Sequence, residues 1–343
     1  MSKSLYKINL KELCSSIDLG CLKNEPTPIQ GGLLNKMFKI ETSKGIYAVK
    51  ALNPQIMLRN TAMKNYIFSE QVANVAYKSG IPALPALIVD GKSIQEVDGQ
   101  YYLVFPWFEG KPLAPGIINN NKCLVIGELL AKIHNLNFHF ETSLSENDNS
   151  LCSINWNNYI DIARAQNAKW LNFIIENLPL LSDLEEKANQ SHKKLFSNLV
   201  VSHRDLDQKN VLWDSLNSPM IIDWEAAGYI NPSMELLDVA SNWSGCESAS
   251  PNEQAFKSVV KSYCKFGGRI NDNLNDVINS SFINKLGWLE YNIKRSLRLE
   301  CSDEDEQILG TEQVIGTINS IKNYNDLTPI IYNWIIEIEE ELS

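Results

Sequence analysis

Apolar and polar positions change period several times along the chain, and the changes mark out elements. Residues 7–18 alternate at helical spacing and predict a short amphipathic helix. Met37–Glu41 and Ile46–Ala51 have strand composition, and Ser43-Lys44-Gly45 between them is a natural hairpin turn. Residues 60–79 predict a helix with Tyr66, Ile67, Val72, Val75 and Ala76 as its apolar positions, ended by Gly80 and Pro82. Two further strands are expected within 86–105, Leu87–Asp90 (LIVD) and Gln100–Phe105 (QYYLVF). Beyond Pro106 the pattern turns helical, over 127–136, 156–198 and everything from 233 to 343. A β-rich stretch interrupts it, NLVVSHRDLDQKNVLWD (198–214) followed by PMIIDWE (219–225). The expected fold is therefore α+β and bilobal. Residues 1–106 form a small lobe with an antiparallel sheet and one main helix, and 107–343 form a large, mostly helical lobe. A short hinge near 106–112 joins them, and such a junction is a common place for a ligand cleft.

Composition narrows the function. The 343 residues are 44% hydrophobic and 21% charged, ordinary for a globular chain with a core. Lys and Arg number 31 against 41 Asp and Glu, so the net charge is −10, which disfavours binding to nucleic acid or to an anionic membrane. The apolar runs 79–89 and 327–336 are too short to span a bilayer and contain proline. The opening MSKSLYKINLKELC has no signal-peptide pattern, and the seven cysteines include no C-x-x-C. A cytoplasmic protein with free thiols is expected, as a monomer or a dimer.

Chemistry concentrates in His203-Arg204-Asp205-Leu206-Asp207-Gln208-Lys209-Asn210, which fits H-R-D-L-x-x-x-N, the catalytic-loop pattern of protein kinases. Thirteen residues on, Ile221-Ile222-Asp223-Trp224 is an apolar strand ending in an acid. Phosphoryl transfer needs a carboxylate to orient a hydroxyl and take its proton, and oxygen ligands to hold Mg²⁺ on the phosphates. Asp205, Asn210 and Asp223 supply these from two adjacent strand ends. The bland alternative is a hairpin with polar turn residues, and the upstream residues count against it. Tyr47-Ala48-Val49-Lys50 matches the V-A-I-K strand whose lysine reaches the α- and β-phosphates. Glu70 is the only acid between Ala51 and Val89, and it lies on the predicted helix where a lysine-pairing glutamate belongs. Gly31 and Gly32 precede the first of these strands, as a phosphate-covering loop would.

Taken together, GGLLNKMFKIET, GIYAVK, LVFPWFEGKPL, GELLAKIHNL, SHRDLDQKNVLW and IIDWEAAGYINPSMELLDVA resemble the aminoglycoside phosphotransferase and choline kinase superfamily, small-molecule kinases with a protein-kinase-like fold. The resemblance spans residues 31–245. It implies ATP or GTP as co-substrate, with Asp205 as catalytic base and Asn210 and Asp223 on Mg²⁺. Lys50 would hold the phosphates and Glu70 would fix Lys50. Phe105, Pro106, Trp107 and Phe108 would be the hinge that meets the purine through backbone groups. The chain departs from protein kinases in lacking G-x-G-x-x-G, in replacing D-F-G by Asp223-Trp224-Glu225, and in having no A-P-E, which favours the small-molecule branch.

The acceptor is expected to be small and cationic, most simply an aminoglycoside-like antibiotic. Asp207, Glu225, Glu235 and Asp238 are candidate acceptor-binding acids, because no Lys or Arg occurs between Leu212 and Lys257. The same acids could instead cap helices. A choline, ethanolamine or other metabolite kinase is the alternative, with Trp224, Trp243, Trp288 and Tyr291 as an aromatic wall for a quaternary amine. A nucleotide-binding pseudokinase and a hydrolase using His203 and Asp205 are more distant rivals. His203 is expected to pack structurally, and no metal site is expected at His134 and His139.

Overall fold

The computed structural model describes residues 5–29, 34–114, 116–136, 138, 152–246 and 251–342. In chain order its elements are α1 (Leu10–Ser16), β1 (Thr27–Ile29), β2 (Lys36–Glu41), β3 (Ile46–Ala51), α2 (Pro54–Met57), α3 (Ala62–Lys78), β4 (Ile94–Val97) and β5 (Gln100–Pro106). There follow α4 (Asn120–His134), α5 (Trp156–Ala165), α6 (Leu171–Leu195), β6 (Val200–Ser202), β7 (Val211–Trp213), β8 (Pro219–Ile221) and β9 (Gly228–Ile230). The rest is helical: α7 (Pro232–Trp243), α8 (Glu253–Lys265), α9 (Leu274–Ser280), α10 (Phe282–Ser296) and α11 (Glu304–Leu342). The chain divides into two compact units. One gathers Met1–Pro112, Asn210–Ala227 and Glu300–Glu304; the other gathers Leu113–Lys209, Gly228–Leu299 and Asp305–Ser343.

The first unit is built on an antiparallel sheet of order β1-β2-β3-β5-β4. The apolar run of β5 is continuous because both faces are covered, and its side chains alternate between them. Tyr102 and Val104 pack with Leu10, Leu13 and Cys14 of α1, while Leu103 and Phe105 pack with Tyr66 of α3. The β2–β3 turn is held by the Thr42 N–H donating to the Gly45 carbonyl at 2.8 Å, and by the Lys44 and Gly45 N–H groups donating to the Thr42 hydroxyl. The strand expected at Leu87–Asp90 is not one. Pro82 and Pro85 remove donors just before it, and a tight turn between Val89 and Lys92, with Asp90 at φ 48°, reverses the chain there. The partner of β5 comes later, with Ile94 opposite Leu103.

Two distant segments complete this unit. The β7–β8 hairpin is laced to it by backbone bonds, Ile221 N–H to the Pro82 carbonyl and Leu84 N–H to the Ile221 carbonyl at 2.9 Å, and by mutual bonds between Lys111 and Trp213. Residues 300–304 attach through ion pairs of Arg59 with Glu300 and of Lys36 with Asp303, and through the Ser302 hydroxyl donating to Asn53 at 2.6 Å.

The second unit is mainly helical, with a short β6–β9 ladder. Here α4 lies close against α8: a Cβ on Gly127 would stand 2.2 Å from the Val259 carbonyl, so only glycine permits that approach. α7 starts at an Asn231 cap that accepts the Met234 N–H at 3.0 Å, with Pro232 in the first turn. Its residues are nearly all buried, Trp243 completely so. The run 327–336 lies inside α11, and among the described residues no helix is long and apolar enough to cross a membrane.

Candidate active site

In the first unit the chemistry gathers on Lys50. β3 places it opposite Met37 on one side and Leu103 on the other, in the middle of the sheet and only 5% exposed. Its ammonium donates to Asp223 at 2.5 Å and to Glu225 at 3.0 Å. Burial works against the charge, but the two carboxylates outweigh it and hold the Lys50 pKa above the ordinary lysine range. Asn35 adds a further donor, its side-chain N–H reaching Glu225 at 2.8 Å.

The hairpin explains how Asp223 arrives there. Val211 pairs with Ile221, and the Ile222 N–H donates to the Asn210 carbonyl at 2.9 Å, so Asn210 and Asp223 end up at the same end of the hairpin. Asp223 then takes a left-handed backbone, φ 61°, a conformation uncommon outside glycine and one that re-aims the side chain. Trp224 follows it into the core, with its indole N–H on the Ile221 carbonyl.

Glu70 lies on the expected helix, but its carboxylate bonds a backbone N–H and not Lys50. It is buried on α3 and accepts the Ala86 N–H at 2.7 Å, while the ion pairs of Lys50 go to Asp223 and Glu225. Burial pushes its carboxyl up to about 7. Glu225, read from the sequence as an acceptor-binding acid, is instead a partner of Lys50 and Asn35. Its position next to the D-F-G-like acid was the available signal. Phe105 and Pro106 close β5 opposite Ala48 and Tyr47, and the Trp107 N–H donates to the Ile46 carbonyl at 3.1 Å. The Trp107 indole donates to Glu109, and the Lys39 ammonium stands over its ring. Phe108 packs at Gly110, where a Cβ would fall 2.5 Å from its ring. Gly31 and Gly32 lie outside the described residues, as does His139.

In the second unit the loop carrying Asp205 is pinned from several sides. Arg204 has a left-handed backbone, φ 65°, and its N–H donates to Glu235 at 2.7 Å. The other oxygen of Glu235 bonds His134 Nε2 at 2.7 Å, and His134 Nδ1 bonds the Tyr263 hydroxyl at 2.8 Å. Glu235 is 2% exposed; burial opposes its charge, but His134 and the Arg204 N–H hold its pKa below the ordinary value. Glu235 therefore holds the loop backbone and α4 together, and it also lines the cavity beside the loop. The Asp205 N–H donates to Nδ1 of the fully buried His203 at 3.2 Å. The Trp243 indole donates to the Leu206 carbonyl at 2.9 Å, and the Gln208 N–H donates to Asn242. Lys209, which the sequence did not single out, bridges Asp207 at 2.7 Å and Asp205 at 3.5 Å.

This loop forms one wall of a cavity of about 360 Å³. Asp205, Asp207 and Asp238 line it, with Asn242 from α7, Asn284, Lys285 and Trp288 from α10, and Gln313, Gly316, Thr317 and Ser320 from α11. Arg204 and Lys285 add two cations to the lining, both from outside the stretch between Leu212 and Lys257 that carries no Lys or Arg. Trp224 and Trp243 are core residues, and the Tyr291 hydroxyl donates to Glu306 beneath Arg295. No aromatic box is assembled from them. The residues of α10 and α11 carried no local motif, because only packing brings the three helices together.

Comparison with known proteins places the chain in context. A family model described as a phosphotransferase enzyme family matches residues 25–259. No curated protein matches the sequence. Among solved structures, a spectinomycin phosphotransferase in complex with ADP and spectinomycin superposes with a TM-score of 0.63 at 15% identity, over 93% of this chain and 99% of that one. A microcompartment-associated aminopropanol kinase gives a TM-score of 0.63 at 13% identity, over 93% and 98%. An ethanolamine kinase of Plasmodium vivax gives 0.59 at 15%, over 90% and 86%. At these identities the likeness is one of fold.

Proposed function

The chain belongs to the phosphotransferase enzyme family, and on that premise we propose that it moves the γ-phosphoryl group of ATP or GTP to a hydroxyl of a small, amine-bearing, hydroxyl-rich molecule of aminoglycoside-like type. It is a small-molecule kinase. The observation that carries the finer reading is Asp205 on the wall of a cavity lined by carboxylates, amides and hydroxyls. Asp205 takes the proton of the acceptor hydroxyl as its oxygen bonds to the γ-phosphorus; the bond from that phosphorus to the β,γ-bridging oxygen breaks, and the nucleoside diphosphate leaves. Lys50 neutralises the phosphates, and Phe105–Phe108 is assigned the purine. The oxygens of Asn210 and Asp223 suit a hard cation. Among the described residues no cage of three or more Asp, Glu, His or Cys forms, and Mg²⁺ usually takes one or two carboxylates together with substrate phosphates. Asn210 and Asp223 would hold Mg²⁺, whose charge would offset that of the phosphates.

The walls favour carboxylates and amides over aromatic stacking. Trp288 is the one candidate box residue among the described lining, which supports separate amine and hydroxyl contacts rather than a quaternary-amine box. Arg204 and Lys285 oppose a guest charged all round, so the amines belong toward Asp207 and Asp238. Spectinomycin, ethanolamine and aminopropanol, named for the neighbouring structures, all combine an amine with a hydroxyl.

The test is nucleoside-diphosphate release, with Mg²⁺ present, across aminoglycosides, aminocyclitols and amino alcohols. An acceptor-dependent rate is expected, with KM rising as salt screens the attraction. Asp205→Asn should lower kcat about 10²–10⁴-fold while nucleotide affinity holds. A rate indifferent to every acceptor, or an Asp205→Asn enzyme within a few-fold of wild type, overturns the reading.

A further inference from the structure

On the wall that α11 gives to the cavity, Gln313, Gly316, Thr317 and Ser320 recur at three- and four-residue spacing and share one helix face. Glycine inside a helix is disfavoured relative to alanine, so each one invites a physical reason. Gly310 has one: a Cβ there would lie 2.6 Å from Arg295 Cβ and 2.9 Å from the Ser296 nitrogen, where α10 and α11 meet. Gly316 has no such reason. A Cβ on it would meet nothing within 4 Å, and its backbone is not left-handed. What its missing side chain leaves open is the cavity.

We propose that Gly316 is a specificity-determining position, a bare strip of helix over which a ring of the acceptor lies flat. Gln313 stands about one turn before it and Ser320 about one turn after, placed to bond ring hydroxyls on either side. A ring several ångströms wide needs a surface without a projecting carbon, and a two-carbon amino alcohol does not. The acceptor class is thus an aminocyclitol or amino sugar rather than a short amino alcohol. This rests on the reading of the cavity as the acceptor site.

Gly316→Leu and Gly316→Ala test it, with 2-deoxystreptamine and ethanolamine as probe acceptors in the diphosphate-release assay and thermal melting as the folding control. Gly316→Ala should not melt below wild type, since its Cβ meets nothing within 4 Å and a helix glycine is removed; a Gly316→Leu that melts earlier leaves Gly316→Ala to carry the test. Wild type should prefer the ring. In Gly316→Leu the ratio of KM for the ring to KM for ethanolamine should rise roughly tenfold or more, with Gly316→Ala between the two. An unchanged ratio, an equal loss for both probes, or a wild type that prefers ethanolamine overturns the inference while leaving the kinase reading intact. A wild type that releases diphosphate with neither probe nor any other acceptor overturns the acceptor-site reading, and the inference with it.

Discussion

Replacing Glu70 by glutamine should stabilise the protein near pH 8 and change little near pH 5. Glu70 is 3% exposed, and its carboxylate accepts one hydrogen bond, from the Ala86 N–H at 2.7 Å. The ion pairs of Lys50 go to Asp223 and Glu225, and burial raises the Glu70 carboxyl pKa by more than the Ala86 bond and the field of Lys50 lower it. Burial therefore dominates and lifts the carboxyl from 4.5 to about 7 in the folded protein. In the unfolded chain it keeps its ordinary value. As pH rises between these two values, the unfolded chain gives up the proton and the folded one retains it, so stability falls through this window and is flat above it. At about 1.4 kcal/mol for each tenfold change in proton affinity, the loss is on the order of 3 kcal/mol near pH 8. Glutamine keeps an acceptor oxygen for Ala86 and never ionises, so the variant escapes the loss. Urea denaturation of both proteins across this range reads the difference directly. A Glu70→Gln variant that is less stable near pH 8 would refute the reasoning, because that is the behaviour of a carboxylate paired with Lys50, whose pKa would be depressed.

Glu225→Gln should cost about 1.5–3 kcal/mol in the same denaturation assay, because Lys50 and Asn35 lose a charged acceptor; wild-type stability would contradict the assignment of Glu225 to Lys50. Glu235→Gln should lower kcat while nucleotide affinity holds, because the Arg204 N–H and His134 lose the carboxylate that sets the backbone before Asp205. A variant that melts earlier yet turns over at the wild-type kcat would reduce Glu235 to a structural residue.

Much of the fold was legible because its elements are local. The β2–β3 hairpin was readable from its turn residues, and α3 from its apolar spacing and its Gly80-Pro82 end. β4 was misplaced because Leu87–Val89 has strand composition, whereas the turn at Asp90-Gly91 and the two prolines decide where pairing can start. The character change after Pro106 was also visible. That 210–227 packs with the first unit was not, because the bonds from Ile221 to Pro82 and Leu84 join residues far apart in the chain.

The site divides along the same line. Lys50, Asp205, Asn210 and Asp223 were named from the sequence because each sits in a short motif whose spacing reflects the strand or turn that presents it. Which carboxylate meets Lys50 was not written there. Glu70 was read as the partner and Glu225 as an acceptor-binding acid, yet the left-handed turn at Asp223 with the seating of Trp224 delivers Glu225. Glu235 likewise reads from the sequence as an acceptor-binding or helix-capping acid, and is a buried anchor because α4 brings His134 against it. Local spacing can specify a residue's element and its chemical type. Burial, partner and therefore charge state depend on contacts between residues scores of positions apart, and those exist only once the helices and the hairpin have packed.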